Sequence, residues 1–310
     1  MILLPFPGHS PYPRSLMLWE PEGAPRGLVV ISHGMAEHIA RYDAPARHLA
    51  AAGHLVCGYN HLGHGEEAPV KGYFADENGW DRLIEDLDSV IRFLMARHPG
   101  LPLALLGHSM GSFVAREYAL RHPERLSALV LSGTGHYPAM LCAFARALAG
   151  LHCALGMGQK EAGLIHQLAF AGNNKPFAPA QTPSDWLSRD AAQVQKYQDD
   201  PLCGFVFTGR GYYDLFDGLM RLTKLKRLDK LPKELPVLLM SGGEDPVGQQ
   251  GRGVEKVAGE YRAAGLSRVE VTLYPGCRHE LFNETIRERV YEDLARWLAS
   301  TLPERKESIP

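Results

Sequence analysis

Short apolar runs of strand-forming residues alternate along this chain with longer segments of helical periodicity. Such alternation is typical of a mainly parallel sheet whose strands are joined by helices packed on its faces. A strand is predicted at Ser15–Trp19, and strands that are mostly buried on both faces are predicted at residues 28–31, 55–59, 103–106, 128–131, 237–240 and 269–273. Helices are predicted at residues 42–52, 79–97, 109–122, 251–264 and 283–302.

The alternation is interrupted once, between Gly133 and Pro236, where a long interval separates two strands that normally lie one helix apart. We therefore predict an α/β core, residues 1–133 and 236–310, and a helical cap, residues 134–235, inserted over the strand ends. The first part of the cap carries apolar side chains that either line a tunnel for an acyl chain or pack the cap onto the core, which is the commoner use. These side chains are Met140, Leu141, Phe144, Leu148, Leu151, Leu155 and Met157.

A GxSxG turn, Gly107 to Gly111, lies directly after a predicted buried strand and directly before a helix. Small residues at both ends allow the chain to turn sharply, which leaves the central serine exposed in a strained backbone conformation. Ser109 is therefore the predicted nucleophile, and the Met110 amide at the start of the helix is a predicted oxyanion donor. The alternative is an ordinary glycine-flanked turn, which the flanking elements disfavour.

Two adjacent carboxylates, Glu244 and Asp245, follow a predicted strand in a glycine-rich turn. Asp245 is preferred as the catalytic acid, because its shorter side chain precedes Pro246 and a rigid turn suits a group that holds an imidazole in one tautomer. Its alternative role is to cap the next helix. His279 follows the last predicted strand, where the base belongs, and serine, aspartate and histidine occur in the chain order that an α/β sheet of this kind requires.

The loop after the first predicted core strand, Ser32 to His38, has the pattern HGxxxEH. Gly34 allows close approach of the backbone to a substrate, and the Met35 amide is the predicted second oxyanion donor. His33 is a candidate brace for the turn. The alternative is a tight loop with incidental histidines.

Together with NHLGHG at 60–65, GHSMG at 107–111, GGEDPV at 242–247 and CRHEL at 277–281, this loop resembles the monoacylglycerol lipase and lysophospholipase-like branch of the α/β hydrolases. The resemblance extends from about Arg26 to Leu302. It implies an eight-stranded sheet, a helical cap and a serine hydrolase with the following residues: the triad Ser109, Asp245 and His279, and the oxyanion donors Met35 and Met110. The family often has aspartate where this chain has Asn60, in a turn whose role is structural.

Composition excludes several other classes of function. A net charge of -2 provides no general attraction for nucleic acid, and the basic tract 221–233 is interpreted as a solvated amphipathic helix. The five cysteines are far apart and odd in number, so neither a zinc cage, nor a redox motif, nor a secreted disulfide framework is expected. His61 and His64 are assigned a structural role, and no metal or cofactor is predicted.

The N-terminus lacks the features of a signal peptide, and no segment is expected to approach the roughly 20 apolar residues of a membrane span. A cytoplasmic location is therefore predicted.

The predicted function is hydrolysis of carboxylic esters: medium- or long-chain monoacylglycerols, lysophospholipids or simple esters. A small acyl ester is the expected partner, with transient contact to a lipid surface as a further candidate. One alternative is a peptidase or amidase with an acidic subsite drawn from Asp199, Asp200, Asp214 or Asp217. The other is a non-catalytic ligand-binding protein on a hydrolase scaffold.

Overall fold

The computed structural model describes residues 1–303, which contain one eight-stranded sheet of order β1-β2-β4-β3-β5-β6-β7-β8. Strand β2 is antiparallel to both of its neighbours, and the remaining neighbours pair in parallel. The strands are β1 Ile2–Pro5, β2 Ser15–Trp19, β3 Gly27–Ser32, β4 His54–Tyr59, β5 Leu103–His108, β6 Ala128–Ser132, β7 Val237–Gly242 and β8 Val269–Tyr274. The predicted mainly parallel sheet is confirmed, and β1 is a strand that the residue pattern did not indicate.

Helices cover both faces of this sheet. They are α1 Asp43–Ala51, α2 Gly79–Arg97, α3 Met110–Arg121, α4 Ala139–His152, α5 Gly163–Phe170, α6 Ala191–Asp199, α7 Gly209–Leu222, α8 Arg252–Ala263 and α9 Arg287–Thr301. Successive residues of a strand point to opposite faces, so Leu28 and Val30 of β3 join the core beneath α2, α3 and α8. Val29 and Ile31 join the second core, beneath α1 and α9.

Two predictions near the C-terminus are wrong. Residues 269–273 are not buried on both faces, because β8 is the edge strand and only Tyr274 in it is fully buried. The last helix does not begin at residue 283. Leu281–Asn283 is a separate 3-10 turn, and α9 begins only at Arg287.

Helices α4 to α7 lie between the neighbouring strands β6 and β7, within residues 134–235, which we call the inserted segment. Helix α7 attaches it to the core, because α7 contacts α2 and α3 as well as α4. Gly218 of α7 packs directly against the Trp80 indole of α2, where any side chain would collide with the ring.

Most apolar side chains of the predicted stripe are exposed rather than packed onto the core, so the commoner interpretation holds only for Leu148. Met140 is 86% exposed, Phe144 68% and Leu155 65%. We call the following group the exposed apolar face: Met140, Leu141, Phe144, Leu151, Leu155, Met157, Leu164 and Leu168. Leu148 is half-buried against the core.

The expectation that no segment approaches membrane-spanning length is also wrong. Helix α4 continues through a π-helical turn, Cys153–Met157, and Ala139–Met157 is long and apolar enough, by length and composition, to cross a bilayer. Only 11% of its apolar window is buried.

The basic tract 221–233 is not one helix. Helix α7 ends at Leu222, and a 3-10 helix follows at Leu225–Lys230. Arg221 pairs with Asp81 of α2 and Arg227 pairs with Glu117 of α3, so these arginines fasten the inserted segment to the core.

Candidate active site

Ser109 lies at the apex of the turn between β5 and α3, with φ 51° and ψ -120°. A positive φ is strained for serine and persists only where the surroundings impose it. Those surroundings are close backbone contacts, because a Cβ atom at Gly107 would collide with the Gly111 carbonyl and one at Gly111 with the Ser32 carbonyl. The strained turn presents the serine beyond the strand end.

The predicted acid and base are hydrogen-bonded to each other. Asp245 follows β7 and His279 follows β8, and the distance between His279 Nδ1 and Asp245 Oδ1 is 2.9 Å. The carboxylate also accepts hydrogen bonds from the Val247 amide at 2.9 Å and the Ser241 hydroxyl at 3.1 Å. Asp245 and His279 are buried, whereas the neighbouring Glu244 is exposed.

The electrostatics of this pair suit a base oriented by an acid. Burial lowers the pKa of His279, but the charge and hydrogen bond of Asp245 outweigh it, so the pKa lies above the ordinary histidine value. Burial raises the pKa of Asp245, but His279 and the two other donors leave it below the usual aspartate value. Asp245 thus remains ionised and fixes the imidazole, which leaves Nε2 to accept a proton.

Ser109 and His279 line the same cavity. The hydrogen bonds shown for residues 1–303 include none between the Ser109 hydroxyl and His279. Catalytic hydrogen bonds often tighten only once substrate binds, so this gap does not conflict with the predicted roles of the two residues.

Met35 and Met110 lie on either side of the serine. Their side chains line one cavity together with Ser109, and their amides have no hydrogen-bond acceptor in the part of the chain that the structure describes. Free amides beside a nucleophile are suited to stabilising an oxyanion.

An ion-pair network that sequence reasoning missed connects the loop of Met35 to the loop of His279. The Glu37 carboxylate accepts hydrogen bonds from the Gly34 amide at 2.6 Å, from the Tyr42 hydroxyl at 2.8 Å and from Arg41 at 2.6 Å. Arg41 also makes two hydrogen bonds of 2.6 Å to Glu280, the residue after His279. Burial raises the pKa of Glu37, but the Arg41 charge outweighs this and leaves it lowered. Glu37, the glutamate of the HGxxxEH pattern, is the sequence feature that could have indicated this network.

Two buried histidines, His33 and His64, brace the same loop. His33 Nε2 accepts a hydrogen bond from the His61 amide at 3.0 Å, and His64 Nε2 accepts one from the Ala36 amide at 3.2 Å. Burial lowers the pKa of His33 and of His64 to about 3, so both are neutral at physiological pH. Asn60 Oδ1 accepts a hydrogen bond from the Ile39 amide at 2.9 Å. This contact fits a structural role for the turn that contains Asn60.

Two cavities meet at Ser109. One, of about 370 Å³, is apolar and is lined by Phe113, Leu148, Ile165 and Phe216, among others. The second, of about 540 Å³, carries polar groups. Its polar lining comprises Glu37, His108, His166, Gln167, Asn174, Ser184, Tyr197, Gln198, His279 and Glu280. Both cavities share Met35, Ser109 and Phe170, and the inserted segment supplies most of their walls.

A parallel sheet of this order with a serine on a strained strand-to-helix turn defines the α/β-hydrolase fold, and the chain is a serine hydrolase of the lipase and esterase type. Residues 23–286 match the model of the serine aminopeptidase S33 family, to which the chain belongs. Within the α/β hydrolases it falls in the monoacylglycerol lipase-like branch.

Relatives of known name support this placement. A monoacylglycerol lipase of Mycolicibacterium smegmatis is 32% identical over 289 residues, which cover 92% of each chain. The monoglyceride lipase of Homo sapiens is 27% identical over 91% of this chain and 85% of its own. The fold is similar to that of a thermostable carboxyl esterase from Bacillus coagulans crystallised with glycerol, with a TM-score of 0.89 and 29% identity over 97% of this chain and 98% of the esterase.

The ion-pair network yields a prediction for Arg41→Met. This change leaves two largely buried carboxylates without their cation, so the free energy of unfolding in urea is expected to fall by about 3 kcal/mol at neutral pH. The pKa of Glu37 is lowered in the folded state. Its contribution to the free energy of unfolding is therefore present above its unfolded pKa and is lost as pH falls through its folded pKa.

The control is Arg47→Met, because the exposed pair of Arg47 with Asp43 should contribute little, so the urea midpoint should be unchanged. Equal losses of stability in Arg41→Met and Arg47→Met would contradict the stabilising role assigned to the buried ion-pair network.

Proposed function

We propose that the protein hydrolyses acyl esters such as monoacylglycerols or lysophospholipids through Ser109, His279 and Asp245. One observation carries the proposal: Ser109 lies where an apolar cavity meets a polar one. An ester with an acyl chain on one side of its carbonyl and a hydroxylated alcohol on the other fits that division. The likeness to named monoacylglycerol lipases supports the same class of substrate.

The proposed mechanism proceeds through an acyl-enzyme. His279 takes the proton of the Ser109 hydroxyl as the oxygen attacks the ester carbonyl, and the amides of Met35 and Met110 stabilise the oxyanion. Protonated His279 then gives its proton to the departing alcohol, while Asp245 holds the ring in place. Water repeats the cycle and releases the fatty acid.

We propose that residues 134–235 act as a cap, with residues 1–133 and 236–310 as the core. The roof of the apolar cavity comes from α4, α5 and α7, which include Phe144, Ile165 and Phe216. The cap thereby excludes water from the acyl chain. The length of chain accepted is set by α4, because Ala145 and Leu148 line this cavity.

We propose that the exposed apolar face contacts a lipid surface. It borders the apolar cavity, because Leu141, Phe144 and Leu168 belong to both. An amphiphilic substrate can therefore pass from a lipid layer into the cavity with little exposure to water. The contact is peripheral, and we retain a cytoplasmic location as part of the proposal because the five cysteines are unpaired.

Within residues 1–303, each of the four aspartates considered for a peptidase subsite already has a hydrogen-bonding or ionic partner. Asp214 is buried against Arg210 and Asp217 pairs with Arg146. Asp200 is hydrogen-bonded to His38, and Asp199 accepts a hydrogen bond from Gln195. The carboxylates that do line the polar cavity, Glu37 and Glu280, both bind the single guanidinium of Arg41.

The mechanism is tested by labelling with a fluorophosphonate. The wild-type protein should be labelled, and Ser109→Ala should lose both labelling and ester hydrolysis while remaining folded by circular dichroism. Asp245→Asn should lower kcat by about four orders of magnitude through the wrong tautomer of His279. Ser89→Ala, at an exposed hydroxyl of α2, is the matched control. Equal labelling of Ser109→Ala would disprove the assignment of the nucleophile.

The acyl cavity is tested by Ala145→Phe, which fills it from α4. The ratio of kcat/KM for a dodecanoyl over a butanoyl p-nitrophenyl ester should fall about tenfold, equivalent to about two methylene groups that are no longer buried. Ala147→Phe is the control, because Ala147 is exposed on the same helix and lies outside the cavity. Equal losses on both esters would argue against an acyl-chain cavity.

The lipid contact is tested by Leu155→Asp, at a position 65% exposed on the apolar face. Binding to phosphatidylcholine vesicles in sedimentation should weaken about tenfold, since one leucine side chain is lost from the contact. Leu225→Asp is the control, at an exposed leucine outside that face. Unchanged vesicle binding, or a wild-type protein that covers this face by self-association in ultracentrifugation, would overturn the proposal.

A further inference from the structure

Three side chains with metal-ligating atoms converge at the junction between the core and the inserted segment. They are His38, at the end of the loop that carries Met35, and Asp200 and Cys203, which follow α6. One ligand atom of each lies within 4.8 Å of the other two, and His38 Nε2 is 2.7 Å from Asp200 Oδ2. We propose that these residues bind a divalent ion of the zinc class, which joins the two parts of the molecule.

The donor set selects the type of ion. Imidazole nitrogen, carboxylate oxygen and thiolate sulfur together suit Zn²⁺, whereas Mg²⁺ and Ca²⁺ prefer oxygen ligands only. Tetrahedral zinc, with bonds of about 2.0–2.3 Å, holds its ligand atoms roughly 3.3–3.5 Å apart. His38 Nε2 and Asp200 Oδ2, now 2.7 Å apart, therefore have to separate by roughly 0.6 Å. The thiol sulfur lies within 4.8 Å of both atoms and has to come within coordination distance.

The backbone holds the three residues in place without an ion. Asp200 Oδ1 accepts a hydrogen bond from the Leu202 amide at 2.8 Å, and this contact directs the other oxygen, Oδ2, towards His38. The Cys203 amide donates to the Asp200 carbonyl at 2.9 Å. The Gly204 amide donates to the Ala36 carbonyl at 2.9 Å, which fixes this turn against the loop of His38. A site whose ligands are positioned beforehand loses little entropy on binding.

The position gives an ion access from outside and contact with the catalytic cavity. Cys203 lines the polar cavity at Ser109, whereas His38 and Asp200 line a groove on the outer side. The three residues thus form part of the wall between the two. Three cations, Arg41, Lys196 and Arg287, line the same groove. The charge of Arg41 is paired with Glu37 and Glu280, and that of Arg287 with Asp190.

Binding replaces a proton by the ion. Only the thiolate form of Cys203 can bind the ion, so the thiol has to release its proton as the ion binds. The sulfur–hydrogen bond breaks as the sulfur–metal bond forms, the proton passes to solvent, and no electron is transferred. The affinity should therefore increase with pH.

Cobalt(II) is the probe, because its coordination by a thiolate produces a near-ultraviolet charge-transfer band. This band reports metal binding independently of enzyme activity. Wild-type protein should give this band on titration, and Zn²⁺ should abolish it by displacement. Cys203→Ser should lose the band, and His38→Gln and Asp200→Asn should weaken Zn²⁺ binding more than about tenfold in competition with a chelating dye. Cys153→Ser, at another half-buried cysteine of the inserted segment, is the control and should keep the band.

Circular dichroism establishes that each variant is folded. Alkylation by iodoacetamide gives a second readout, since Zn²⁺ should protect Cys203 from modification in the wild type but not in His38→Gln. The proposal is overturned if wild-type protein gives no band with cobalt or if the band survives Cys203→Ser. An ion bound at His279 instead would be unaffected by all three substitutions. None of these measurements uses ester hydrolysis, so their outcome is independent of the proposed function.

Discussion

The site depends on one cation, Arg41, held between two buried carboxylates. Glu37 shapes the loop of Met35 by binding the Gly34 amide, and Glu280 is adjacent to His279. Because both carboxylates share the same guanidinium, the loop after β3 and the loop after β8 cannot shift independently. Charges at this depth are costly to bury, so the network contributes more to the fixed relative position of the two loops than to net stability. The sheet brings the loops to one edge, and the ion pairs set their spacing.

The inserted segment divides the surroundings of Ser109 by polarity. Helices α4, α5 and α7 contribute apolar side chains to one cavity, while the stretch that includes Trp186, Tyr197 and Gln198 contributes polar groups to the other. Trp186 also lies against the imidazole of His279, with ring centroids 4.9 Å apart. On the proposed mechanism, the core supplies the reacting groups, and the inserted segment supplies the two environments between which an ester bond would be held.

Features of the fold and of the site could be predicted where the residues that determine them lie close together in the sequence. The parallel strands and the turn at Ser109 follow from residues within a few positions of one another, and those predictions agree with the structure. The hydrogen bond from Arg41 to Glu280 joins residues 239 positions apart, and no local pattern indicates it. The exposure of α4 was missed for the opposite reason, because an apolar stripe has the same spacing whether it faces a core or a surface. Edge position, which exposes β8, is a property of the whole sheet.

The meeting of two cavities at a single serine has a consequence for the order in which products depart. On the proposed mechanism the freed alcohol vacates the polar side while the fatty chain is still tethered in the apolar one. The vacated space is then the entry point for the second nucleophile, and its polar side chains offer hydrogen bonds to water and to other small hydroxylated molecules alike. At high concentrations of such an acceptor the same protein would transfer its acyl group rather than release a free acid.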